Sequence, residues 1–285
     1  MKADRPISRG RTLIYRHGPI VRLTHWINAA CMLVLLLSGL QILCAHPAFY
    51  WGDTSHFANP AAAIVTTTND NGETQGALRI FGRTFDTTGF LGASRTADGQ
   101  MMPRALPAWA TLPAELDLGA GRRWHFFFAW LFFLNGMLYV VQGLASGRVR
   151  RTLIPSRADW AHLGRAIVDH ARLRLPHGDE ARRYNVLQKL SYLPVVFMLL
   201  PLMILTGLAM SPAVNALFPF LTVMLGGRQT ARFLHFLAAG GLVLFVVVHV
   251  AMVVLAGPLN ELRSMVTGWF VIRTTPVPVA EETAA

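Results

Sequence analysis

With 285 residues, 53% of them apolar and only 14% charged, the chain is too apolar for a soluble domain of its length and reads as one membrane bundle. Its formal charge of +11 does not by itself point to nucleic acid, because arginine-rich cytoplasmic segments give a membrane protein the same balance. Cys31 and Cys44 fall in one apolar run with no disulfide or metal spacing and read as packing residues.

Residues 1–22 form a basic arm (Lys2, Arg5, Arg9, Arg11, Arg16, Arg22) broken at Gly18-Pro19. It has no short apolar core and no small-residue cleavage site, so the first span, about 23–45, reads as an uncleaved anchor, with His25 in its first turn. Residues 46–121 are rich in Gly, Pro, Thr, Asn and Asp, with acids and bases nearly balanced. Weak alternation in ALRIFGRTF, flanked by Gly76 and Gly89, fits a small hairpin. A loop this long is uncommon unless it has a task or is disordered.

The second span, about 123–144, is dense in aromatics and carries His125 near its start. Residues 145–183 hold nine arginines (Arg148, Arg150, Arg151, Arg157, Arg165, Arg172, Arg174, Arg182, Arg183) against four acids, and DWAHLGRAIVDHARL has the spacing of a surface helix. The third span, about 187–210, contains Pro194 and Pro201, which predict kinks, and no histidine. The fourth, about 230–256, carries both His235 and His249. An amphipathic tail, 257–285, follows.

The expected fold is therefore all-α, an integral membrane four-helix bundle. By the positive-inside tendency both termini and the 145–183 loop are cytoplasmic and the 46–121 loop is periplasmic. LSGL (Ser38-Gly39) in the first span and LTGL (Thr206-Gly207) in the third resemble one another, most simply as sites of close packing.

Ionisable residues are expensive inside a membrane and are usually kept for function. His235 and His249 are fourteen residues apart, which puts both imidazoles on one helix face, about 21 Å apart along the axis. The orientation sorts the membrane histidines by depth into two pairs, His25 with His249 near the cytoplasmic side and His125 with His235 near the outer side. Two bis-histidine b-type haems need that arrangement. No C-x-x-C-H occurs, so covalent haem attachment is not indicated. Two imidazoles alone make a poor zinc site, and no carboxylate lies in any span. His17, His46, His56, His162, His170 and His177 fall outside the apolar runs, with His17 the one reserve ligand.

Arg22, Arg122 and Arg123 stand where haem propionates or interfacial anchoring would use them. Gly39, Gly136, Gly207, Gly240 and Gly241 allow either a flat macrocycle or a neighbouring helix to approach the backbone. A proton-relay transporter or channel, or a structural membrane anchor, is the alternative reading, but broken helices, midplane acids and inverted repeats are not evident.

RLTHW at the first span, YNVLQK before the third and HFLAAGGLVLFVVVHV in the fourth resemble the di-haem cytochrome b subunits of respiratory nickel hydrogenases and formate dehydrogenases, the bacterial cytochrome b561 group. The resemblance covers about 15–43 and 123–268. It implies a bacterial inner-membrane subunit holding two haems b on His25, His125, His235 and His249, and passing electrons between a quinone pool and a catalytic partner. It also implies a quinone site by the cytoplasmic haem at Tyr184-Asn185, with Gln188 and Lys189 next. Read from its position alone, immediately before the third apolar run, Asn185 is a helix cap rather than a quinone ligand. The 46–121 segment is much longer than the corresponding loop of those subunits and would suit a periplasmic partner such as a molybdenum oxidoreductase.

Overall fold

A computed structural model describes residues 4–8, 10–96, 98–172 and 185–273. Tyr184, His177 and the tail beyond 273 lie outside them, as do Lys2, Arg9, Arg174, Arg182 and Arg183.

Four helices are long and apolar enough to cross a membrane. They are α1 (Pro19–Ala45), α2 (Leu118–Ala145), a third running Val186–Met210, and a fourth, Arg228–Ala256. Their apolar windows are only 11–22% buried, and large hydrophobic side chains such as Leu33, Phe127, Leu134, Val247 and Val254 face outward. Hydrocarbon is the medium that accepts such a surface, so the architecture is that of a membrane helical bundle.

The third span is not uniform. Helix α5 (Val186–Pro194) passes through a π-helical turn at Val195–Leu199 into α6 (Leu200–Met210). Pro194 and Pro201 each lack an N–H, and the widened turn between them is how the ladder absorbs that loss, where the sequence predicted kinks.

The chain divides into two compact units. The first comprises 1–26, 137–198 and 243–285. In it β1 (Arg5–Ser8), β2 (Arg11–Tyr15) and β9 (Trp269–Arg273) make an antiparallel sheet, so the basic arm is in part a β-hairpin that pairs with the tail. Ile14, Phe270 and Ile272 form its core. Arg16 bridges to Glu261 at 3.3 Å, and Trp26 Nε1 donates to the Met265 carbonyl at 3.1 Å. The predicted surface helix is two pieces, α3 (Arg157–Ala161) and α4 (Leu163–Ala171). Ser156 and Asp159 close a capping box on α3, and Asp159 also takes Lys189 Nζ at 2.8 Å.

The second unit comprises 27–136 and 199–242. Here the 46–121 segment, expected as a long loop with one small hairpin in an all-α fold, forms a β module. Strands β3 (Ala48–Phe49), β4 (Ala62–Thr68), β5 (Thr74–Ile80) and β6 (Arg83–Asp86) form one antiparallel sheet, and β7 (Ala93–Arg95) pairs with β8 (Met101–Pro103). The hairpin in ALRIFGRTF is β5–β6, turned through Phe81 and Gly82, both at positive φ.

A core of Leu43, Phe49, Ala61, Leu106 and Phe233 fastens the module to the helices, and Cys44 packs against it. Arg232 adds hydrogen bonds to the carbonyls of His46 and Ala48. Short helices α7 (Pro212–Leu217) and α8 (Phe220–Met224) lead into α9, the fourth long helix (Arg228–Ala256). In the first unit α10 (Pro258–Thr267) precedes β9.

The Asp159–Lys189 pair makes stability depend on pH. Burial alone would raise its carboxyl, but hydrogen bonds from Lys189 and Ser156 overcome that and hold it at about 2. A carboxyl depressed below its usual value near 4 contributes stability that is complete above about pH 4 and fades as pH falls toward 2. Asp159→Asn leaves Lys189 without its counter-ion and should cost about 1–2 kcal/mol at neutral pH. Thermal melting in detergent should show a lower midpoint for the variant at pH 7 and convergence with the wild type in acid.

Candidate haem-binding sites

The four membrane histidines meet as two pairs, one in each unit. In the first unit His25 of α1 faces His249 of α9, with ring centroids 6.3 Å apart and planes at 55°. In the second, His125 of α2 faces His235 of α9, also at 6.3 Å, with planes at 62°. A metal held between two trans imidazoles, about 2 Å from each ring nitrogen, keeps the ring centres roughly 6 Å apart. Both pairs therefore have the spacing of bis-histidine iron. Among the described residues no three His, Cys, Asp or Glu side chains gather as a metal site, so the donor sets are pairs, and a porphyrin supplies the other four nitrogens of such an iron.

The surroundings of each pair follow from the local sequence. Ser38 Oγ lies 3.1 Å from His125 Nδ1, and Thr206 Oγ1 lies 2.9 Å from His235 Nδ1. A Cβ on Gly39 would stand 3.3 Å from His125 Cε1, and one on Gly207 would stand 3.5 Å from His235 Cε1. LSGL and LTGL are thus imidazole seats as well as packing sites. Their matching form was the signal, but only the fold shows which ring each one meets. In the other pair, His249 stacks on Phe245 at 5.8 Å, His25 contacts Trp26 edge-on, and His25 Nδ1 is buried with no hydrogen-bond partner.

The remaining candidates fall out differently. Arg22 bonds the Val266 carbonyl and keeps a buried Nε without a partner. Arg148, whose Nη2 lies beside Gly18, also has a buried Nη1 without one. As one of nine arginines in its loop, Arg148 carried no distinguishing sequence signal. Arg122 lies over Phe126 at 5.5 Å, and both Arg122 and Arg123 are exposed, as interfacial anchors are.

Asn185 caps α5. Its Oδ1 accepts from Leu187 N at 3.2 Å while Gln188 Oε1 accepts from Asn185 N at 3.1 Å. Lys189 is committed to Asp159. His17 joins neither pair. Burial, with Arg16, His25, Arg148 and Arg22 around it, pushes it down to about 4, so it is neutral at physiological pH. His46, His56 and His162 sit against Tyr50, Thr54 and the Ala158 carbonyl respectively.

Residues 16–268 match the family model of prokaryotic cytochrome b561. The chain is also 29% identical, over 241 residues, to a protein of Azospira oryzae named "Putative protein-methionine-sulfoxide reductase subunit YedZ1". That match spans 84% of this chain and 90% of the relative. With two histidine pairs at iron-holding distance on apolar spanning helices, and a family match over most of its length, the chain belongs to the prokaryotic cytochrome b561 family of haem-binding membrane electron-transfer proteins.

Proposed function

We propose that the protein is the inner-membrane electron-transfer subunit of an oxidoreductase, holding two haems b and connecting the quinone pool to a catalytic partner on the periplasmic face. The observation that carries this reading is the pair of equal 6.3 Å imidazole separations. His25 and His249 hold one haem, His125 and His235 the other. When bound, haem supplies a one-electron Fe(III)/Fe(II) couple.

The protein's part is to keep four neutral imidazoles in place, to exclude water with apolar helices, and to offer cations to the propionates. Arg22 and Arg148, with guanidinium nitrogens buried and unpartnered, are the cations for the His25–His249 site. Arg122 and Arg123 serve the other face. The arginine-rich 145–183 segment and the amino-terminal arm support, by the positive-inside tendency, a cytoplasmic location of both termini, with the β module of 46–117 outside as the docking platform.

The naming of the Azospira oryzae relative as a reductase subunit favours flow from quinol outward, to a partner of the reductase class. A periplasmic molybdenum oxidoreductase or a methionine-sulfoxide reductase fits that description. Quinone binds beside Asn185, whose Oδ1 is used in the cap and whose Nδ2, without a hydrogen bond among the described residues, can donate to a quinone carbonyl.

Purified protein should contain two low-spin haems by pyridine haemochrome against protein, and His249→Ala and His235→Ala should each retain one. Retention of two haems in both variants would overturn the ligand assignment. Asn185→Asp keeps the cap but removes the amide donor. In membrane vesicles it should lower quinol-dependent haem reduction at least tenfold while dithionite-reduced spectra stay unchanged.

A further inference from the structure

Ser38 and Thr206 are polar, wholly buried and set in apolar helices. Each hydroxyl proton is already committed. Ser38 donates to the Val34 carbonyl and Thr206 to the Leu202 carbonyl, both at 2.6 Å, four residues back. A hydroxyl whose proton is spent can only accept toward a third group. The contacts at 3.1 Å and 2.9 Å are therefore Nδ1–H of His125 donating to Ser38 Oγ and Nδ1–H of His235 donating to Thr206 Oγ1.

That assignment fixes the tautomer of both rings and leaves each Nε2 with its lone pair free, as a metal ligand requires. The glycine that follows each hydroxyl lets the ring lie against the helix backbone, where an added Cβ would come within 3.3 to 3.5 Å of Cε1. The same device occurs twice, from α1 to the ring on α2 and from α6 to the ring on α9. In the other pair, His25 Nδ1 has no such acceptor among the described residues.

We propose that Ser38-Gly39 and Thr206-Gly207 are matched positioning pairs that orient His125 and His235, raise the electron-donating strength of both Nε2 atoms, and hold the haem of that site at a lower potential than it would have without them. The proposal rests on the reading of His125 and His235 as ligands. A stronger donor favours Fe(III), and hydrogen bonds to the outer nitrogen of a ligating imidazole are a recognised lever on its basicity. Among the described residues no hydroxyl meets His25 Nδ1.

The test is a potentiometric titration of the haem α bands in the full-length, haem-loaded protein, with electron paramagnetic resonance of the ferric state. The variants are Ser38→Ala, Thr206→Val, the double variant and Thr206→Ser. One midpoint should rise in the single variants and rise further in the double, the ferric-to-ferrous ratio at fixed potential falling about tenfold, which is about 59 mV for one electron. The other midpoint should stay in place, and Thr206→Ser should match the wild type.

Repeating Thr206→Val in the His249→Ala background, where only the His125–His235 haem remains, assigns the shift to that haem. Loss of that haem in Thr206→Val with retention in Thr206→Ser would equally support a hydroxyl-dependent seat. Unchanged midpoints and resonance spectra in the double variant with both haems bound would overturn the proposal. If His235→Ala and His125→Ala instead keep both haems, the ligand reading itself has failed.

Discussion

An imidazole inside an apolar helix is costly unless both of its nitrogens have something to do, and the site chemistry follows from that constraint. Each of the four membrane histidines has one neighbour across a 6.3 Å gap. That gap is too wide for a direct hydrogen bond between facing ring nitrogens and suited to an ion between them. The nitrogens that face away are treated differently in the two units. Those of His125 and His235 meet hydroxyls, while that of His25 meets none. The two imidazole pairs thus differ in what surrounds them, with no change in residue type.

Keeping the imidazoles neutral and dry requires helices that face lipid on one side and close-packed rings on the other. The glycines at 39 and 207 answer that need by admitting a ring against the backbone. The proline pair at 194 and 201 answers another. The π-helical turn between them lets one span carry both a polar, capped start at Asn185 and the Thr206 hydroxyl twenty-one residues further on. Charge is confined to the ends. Arg16 with Glu261 and Lys189 with Asp159 tie segments together outside the apolar windows.

Outside the spans the chain uses β structure to fasten what the helices leave loose. Pairing β2 with β9 joins the two ends of the described chain, and the β module is held by Phe49 against Phe233 and Phe236, with centroids at 5.2 and 4.5 Å. Its ordered core makes the long segment a folded platform rather than a tether.

The sequence by itself determined the number of spans and the histidines they carry. Hydrocarbon thickness and helix periodicity act locally, so apolar length and a fourteen-residue spacing are enough to read them. The β5–β6 hairpin was legible for the same reason, from alternation closing on Phe81-Gly82. The tertiary structure alone decided the rest. RTLIY and WFVIR do not announce a sheet until residue 11 is brought beside residue 273, and non-local pairing of this kind is why an all-α expectation with one small hairpin missed seven of the nine strands among the described residues. Ser38, Thr206, Arg148 and the Asp159–Lys189 pair were invisible for a related reason. A hydroxyl or a charge acquires its role from a partner on another helix, and no local pattern encodes which nitrogen, carbonyl or carboxylate the fold will place within 3 Å of it.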